Sequence, residues 1–314
     1  MKVIENIDEL TKPLENSVIT IGNFDGVHKG HQALFHQAIE KADEINGISV
    51  VITFDPHPLR ALGKSGPPLI TRRDQKIELI KLTNIDYILC LPFTKEFANT
   101  PPKEFIHDFL IAKLGMKTII VGPDYLFGKD RKGNIDLLKQ EGKKAGFSVI
   151  VPDWINDTQT GTERISSTKI RNLVLEGKVK DIPKYLGRFY QIRGKVIKGR
   201  NRGGSQLGFP TANIKLHDEL CPKFGVYAVE VECEKGVFRG VANIGYSPTF
   251  DDHIFTVEVH ILDGFSYDIY DTRIRVNIID RLRDEKKFSN IKELSNQISK
   301  DIEKAKEILS NGNS

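Results

Sequence analysis

Residues 20–31 read TIGNFDGVHKGH and set two imidazoles, His28 and His31, three residues apart behind a glycine-rich turn. An apolar run precedes the turn, and a helical pattern follows it in which Leu34, Ala38 and Ala42 recur every four residues. The arrangement suits phosphate. Gly22, Gly26 and Gly30 let a backbone approach a ligand closely. The start of the next helix offers free N–H groups and the positive end of its dipole. Two imidazoles there can donate hydrogen bonds to phosphoryl oxygens as charge builds on them. The spacing alone does no better than two loop histidines beside a tight turn. Zinc is a weak rival, because only His57, from the next strand end, could join the pair.

A second glycine-rich stretch, residues 194–214, reads GKVIKGRNRGGSQLGFPTANI. Its backbone amides can cradle phosphates, with Lys198, Arg200 or Arg202 as counter-charges, although composition alone fits a solvated basic loop equally well. Gly63-Lys64-Ser65 imitates the end of a P-loop, but that motif needs glycine where Pro58 stands, so this segment reads as an exposed loop.

Two kinds of framework must position these stretches. In the first half, β-branched runs at Val18–Ile21, Ser49–Phe54, Ile85–Leu91, Thr118–Val121 and Ser148–Val151 alternate with helical patterns. Such alternation predicts a Rossmann-like parallel sheet covered on both faces, with ligands gathering beyond the carboxyl ends of its strands. One helix is expected from a Thr100 cap through Pro101 and the stripe Phe105, Ile106, Phe109, Leu110 and Leu114, ending at Gly115. From about Tyr190 the helical period is lost. Short runs at Gln191–Ile197, Val226–Cys233, Val237–Ile244, Phe255–Leu262 and Arg273–Ile279 predict an antiparallel β-barrel or sandwich. A C-terminal helix follows, with Ile291, Leu294, Ile298, Ile302, Ala305 and Leu309 on one face. The boundary is expected within residues 178–189, giving domains 1–183 and 184–314.

The 314 residues suit two domains. No apolar run approaches the ~20 residues that span a bilayer, and MKVIENIDEL lacks a secretory pattern, so a cytoplasmic protein without membrane partners is expected. Cys90, Cys221 and Cys233 match no metal-ligand spacing and read as reduced thiols. A net charge of +4 is too mild to indicate nucleic acid.

From about residue 16 to residue 309 the chain resembles the bacterial bifunctional riboflavin kinase/FMN adenylyltransferases, the FAD synthetases. In the first half the resemblance rests on GxFDGxHxGH, TFDPHP at 53–58, VGPDYLFG at 121–128, Gly133 and ISSTKIR at 165–171. In the second it rests on GFPTAN, GVYAV at 225–229, GVANIGYSPTF at 240–250, TVEVHILD at 256–263 and RLRDEKKF at 281–288. It implies that riboflavin and ATP give FMN, and that FMN and ATP give FAD and pyrophosphate. His28 and His31 would stabilise the α-phosphate, with Gly22, Phe24, Asp25, Gly30, Ser167, Thr168 and Arg171 around ATP. Asp25 serves equally well to fix the turn. Asn23, His57, Asp124, Tyr125, Arg283 and Phe288 would meet flavin, although Phe54, Tyr125 and Phe127 also suit a core, and a rigid turn suits His57 and Pro58. In the kinase half, Gly199, Arg202, Gly208, Pro210, Thr211 and Asn213 would hold ATP. Thr211 and Asn213 would also hold Mg²⁺, and Glu258 would be the general base. The chain departs from the family at Ser205, where the family carries Arg; Arg202 stands three places earlier. The runner-up reading is an FMN adenylyltransferase with an inactive kinase-like half. A third, a flavin-sensing RNA-binding module, is opposed by the modest charge and by the lack of an aromatic–basic stripe.

Overall fold

Ile- and Val-rich runs without polar alternation form strands that can be buried on both faces. In the computed structural model, which describes residues 1–155, 164–197, 211–215, 219–246, 255–262 and 269–311, six such runs make one sheet. They are β1 (Lys2–Ile4), β2 (Ser17–Ile21), β3 (Ile48–Phe54), β4 (Tyr87–Leu91), β5 (Met116–Ile120) and β6 (Ser148–Ile150). All pair in parallel, in the order β1-β4-β3-β2-β5-β6. The chain lays β3 and β4 on one side of β2 and then crosses to β5 on the other. A reversal of this kind opens a crevice at the carboxyl ends of the two strands it separates, here β2 and β5.

Helices α1 (Lys29–Glu44), α2 (Pro58–Ala61), α3 (Arg73–Lys81), α4 (Lys95–Ala98), α5 (Pro102–Glu104) and α6 (Ile135–Ala145) connect the strands. Alternate strand residues feed two cores. Ile19, Ile52, Leu89 and Ile119 pack with Phe105, Ile106, Leu110 and Leu138. Val18, Val51, Ile88 and Ile120 face Phe35, Ala38, Ile77 and Ile80. The helix expected from residue 101 is present but differs in form. Pro101, not Thr100, is its N-cap, and α5 passes directly into a π-helical stretch, Phe105–Lys113. Gly115 ends it at φ +62, where an added Cβ would fall 1.9 Å from the Leu14 carbonyl oxygen.

The chain divides into two units, Met1–Ser167 and Thr168–Ser314. The division falls before residue 183 because α7 (Ser167–Glu176) and α8 (Ile182–Leu186) pack on the barrel side. The Lys223 N–H donates to the Val174 carbonyl at 3.1 Å, and a Cβ on Gly177 would lie 2.6 Å from Arg281 Cδ. In the second unit, β7 (Tyr190–Ile197), β8 (Thr211–Lys215), β9 (Gly225–Cys233), β10 (Gly236–Tyr246), β11 (Phe255–Ile261) and β12 (Arg273–Arg283) close an antiparallel barrel in the order β10-β11-β8-β7-β12-β9. Ile192, Val196, Ile214, Val257, Val259, Val276 and Ile278 are fully buried, most of them alternating with more polar neighbours. The last helix, α9 (Ile291–Asn311), rests Ala305 and Leu309 against Val226, Ala228 and Leu282. Ile291, expected on that face, is exposed instead. Its stripe also contains buried Asp301, which the Arg283 guanidinium meets through Nε and Nη2 at 2.8–3.0 Å.

Candidate active sites

The turn after β2 brings its functional groups together through unusual backbone angles. Phe24, Gly26 and Val27 have φ of 47°, 89° and 43°. A β-branched residue in that region is strained by about 1–3 kcal/mol and must be held there. Asp25 holds it. Its buried carboxylate accepts from Ile70 N–H at 3.1 Å, Thr71 N–H at 3.0 Å and the Thr71 hydroxyl at 3.2 Å. Thr71 Oγ1 also accepts from Gly26 N–H at 2.9 Å, and Gln32 Nε2 donates to the Val27 carbonyl at 2.8 Å. These bonds make Asp25 a keystone of the turn. Asp25→Ala leaves two backbone donors without their acceptor. We expect it to cost about 1–3 kcal/mol in urea unfolding, with the His28–His31 geometry lost alongside.

His28 is the N-cap of α1, and its Nδ1 accepts from His31 N–H at 3.3 Å. The accepting Nδ1 leaves the proton on Nε2, which is then a donor. The two rings stack with centroids 3.5 Å apart, and the edge of the Phe24 ring meets His31 at 5.1 Å. Burial, then the charges of His28, Lys76 and Arg164, hold the His31 pKa well below the usual histidine value, so His31 is neutral at pH 7. Gly30 lies against the His28 ring, with its would-be Cβ 3.2 Å from Cε1. Ser167, at the start of α7, donates its hydroxyl to the Asp25 carbonyl at 2.8 Å. Thr168 and Arg171 follow on α7, exposed and half-buried respectively.

Around this turn, Asn23 Nδ2 lies 3.4 Å from His57 Nε2, and His57 Nδ1 accepts from Leu59 N–H, capping α2. Beyond β5, Tyr125 stacks on Phe127 at 5.4 Å. Phe127 continues through Phe105 and Phe97 to Phe54, a chain of ring contacts that ties the ends of β3 and β5. Asp124 pairs with Arg164 at 3.0 Å, and the Arg164 guanidinium lies 3.1 Å from the Trp154 ring centroid.

In the barrel, strand register lines up the polar groups. Glu258 on β11 stands directly opposite Asn213 on β8 and Asn243 on β10. Directly opposed residues share a face about 4.5–5.5 Å apart at Cβ. Asn213 is buried and Glu258 half-buried, with Val257 and Val259 turned into the core. Burial raises the Glu258 carboxyl above its ordinary value. Thr211 holds the position on β8 opposite His260. Arg283, tied to Asp301, lies 5.8 Å over the Phe288 ring. Among the described residues no three His, Cys, Asp or Glu converge as a metal cluster, and no helix is long and apolar enough to cross a membrane.

Residues 10–169 match the FAD synthetase family and residues 186–309 the riboflavin kinase family. Bifunctional riboflavin kinase/FMN adenylyltransferases match over nearly the whole chain. The protein from Buchnera aphidicola subsp. Schizaphis graminum is 40% identical over 96% of this chain and 97% of its own. That of Escherichia coli K12 is 37% identical over 98% of each. This chain belongs to that bifunctional family. A crystal structure described as a macrolide-efflux protein from Streptococcus pneumoniae superposes with a TM-score of 0.85 at 34% identity, covering 97% of this chain and 98% of the other.

Within the FAD synthetase half, Gly22, Asn23, Phe24, Asp25, His28, Gly30, His31, His57 and Ser167 are gathered about the end of β2, while Asp124 and Tyr125 follow β5. In the riboflavin kinase half, Asn213 and Glu258 stand together. Gly199, Arg202, Gly208 and Pro210, and the departure at Ser205, lie outside the described residues. Two cations escaped the sequence reading. Arg164 follows no motif spacing, and Lys76 reads as a solvated helix lysine, yet it is buried beneath the turn. No local pattern signals either.

Proposed function

We infer that this chain phosphorylates riboflavin to FMN and adenylylates FMN to FAD, consuming ATP in both steps. The observation that carries the reading is the presence in one chain of a stacked histidine pair at a helix start beyond β2 and of a half-buried carboxylate beside a buried asparagine in the barrel.

In adenylyl transfer, the FMN phosphate is already an anion and needs no base. Positioning and charge neutralisation carry the step. His28 and His31 donate to the α-phosphate as it becomes five-coordinate. Ser167, bonded to the Asp25 carbonyl at the turn, meets the departing pyrophosphate. Asn23 and His57 border the acceptor, with Asp124 and Tyr125 on the flavin side. In the kinase half, Glu258 takes the proton of the ribityl 5′-hydroxyl as that oxygen attacks the γ-phosphate. Asn213 and Thr211 supply oxygens suited to Mg²⁺, a hard cation that takes few protein ligands and fills its shell from water and phosphate. The buried Asn213 amide beside Glu258, with no carboxylate cage among the described residues, fits an ion held largely by its nucleotide. When bound, that ion neutralises charge on the phosphates. Arg283 and Phe288 form the flavin-side edge, with Arg283 pre-set by Asp301.

The test is direct. The purified chain, given riboflavin and Mg-ATP, is expected to yield FMN and then FAD on chromatography. FAD from FMN with no FMN from riboflavin would restrict the activity to the first half.

A further inference from the structure

Lys76 on α3 is 7% exposed, and its ammonium lies 3.0 Å from Thr53 Oγ1, 3.0 Å from the Phe54 carbonyl and 3.2 Å from the Asn23 carbonyl. An ammonium has three donors, and these acceptors use all of them. Two come from the end of β3 and one from the turn after β2, so a single side chain clamps both strand ends. The acceptors are all neutral, and a buried charge without a counter-ion is costly to keep. The same group borders a cavity lined by Asn23, Phe54, Asp55, His57, Thr71 and Arg73.

The other charges facing Lys76 do not cancel it locally. The Asp25 carboxylate is taken up by Ile70 and Thr71. Asp55 faces Arg73 Nε at 3.7 Å, and Arg73 also pairs with Glu5. The buried Cys90 thiol is pushed up by desolvation and stays neutral. The charge of Lys76 is nevertheless felt by His31, alongside His28 and Arg164. An amide side chain could donate to two of these acceptors without the solvation cost of an ammonium.

We propose that Lys76 is a positioning residue of adenylyl transfer. Its three hydrogen bonds set the floor of the acceptor cavity, and its unpaired buried charge draws in the phosphate dianion of FMN. The proposal rests on the reading that this half transfers an adenylyl group to FMN.

Steady-state FAD formation from FMN and Mg-ATP by the full chain, at rising KCl, tests it. In Lys76→Met the KM for FMN rises by about tenfold or more, while the KM for ATP stays within about twofold. The salt dependence of the FMN KM, present in the unaltered chain, flattens in this variant. A purely structural role would not flatten it. Riboflavin phosphorylation, carried by the other half, reports on the integrity of the rest of the chain. Lys76→Arg keeps the charge and the salt dependence. Thr53→Val removes two hydrogen bonds, the one from Lys76 and the one its hydroxyl donates to the Asn23 carbonyl, but no charge, and raises the FMN KM by no more than about threefold. An unchanged FMN KM in Lys76→Met overturns the proposal. So do equal rises for FMN and ATP, or a salt dependence lost in Lys76→Arg. If Lys76→Met does not fold, the arginine and Thr53→Val results decide. If the unaltered chain makes no FAD from FMN while still phosphorylating riboflavin, the functional reading of this half falls, and the proposal with it.

Discussion

His28→Ala combined with His31→Ala abolishes FAD formation from FMN and leaves riboflavin phosphorylation within about twofold of the unaltered chain. Removing one preorganised donor from a site of developing charge costs about 10²–10³ in kcat. The pair acts as one stacked unit, so the double change is expected to cost at least about 10³ without the two effects adding. Stability must be separated from chemistry, because His28 also caps α1. Loss of an N-cap costs about 1 kcal/mol. His28→Asn resolves this, since Asn caps well but has no imidazole to donate. It should keep the melting temperature and lose FAD formation. Chromatography of flavin products and a thermal melt on the same preparations check both. Loss of both activities in the folded double variant would mean that the two reactions share a site.

The imidazole pair was legible in the sequence because its chemistry is local: glycine turn, strand before, helix after. Its electrical state was not, because the neutral state of His31 depends on burial and on Lys76 and Arg164, which arrive from distant segments. The same distinction runs through the fold. β2 to β6 announce themselves as short runs rich in β-branched and other apolar residues, and most of the barrel strands by alternation. β1 and β8 did not; β8 begins within the PTAN motif, where the sequence reads as a ligand loop. Asp25 was balanced between ligand and turn on sequence alone; three hydrogen bonds to Ile70 and Thr71, forty-five residues away, place it in the turn. Lys76 is the plainest case. In RDQKIELI it resembles any surface lysine, and only the convergence of Asn23, Thr53 and Phe54 makes it internal. Asp301 likewise interrupts an apolar stripe without explanation until Arg283 is placed against it.

Glu258→Gln reverses the pattern of the histidine variants: riboflavin phosphorylation falls by about 10²–10⁴, the range for removal of a general base, and FAD formation from supplied FMN is unchanged. The substitution keeps the size and β11 register of the side chain, so the loss isolates the carboxylate. Its pH behaviour gives a second signature. Burial raises the Glu258 pKa above its ordinary value, and the base must be ionised to accept a proton. The kinase rate should therefore decline as pH falls through this raised value, at a pH above that of an ordinary glutamate. Stability moves in the opposite sense. A folded-state pKa above the unfolded one favours the protonated form. The stabilisation from protonated Glu258 is therefore fully present below the unfolded pKa and is lost as pH rises through the folded one. Glu258→Gln, neutral at every pH, should remove that dependence from urea unfolding of the second unit while FAD formation continues. A carboxylate that only decorated the outside of a strand would move neither profile, because its pKa would match that of the unfolded chain. The two measurements thus separate a working base from an idle surface residue.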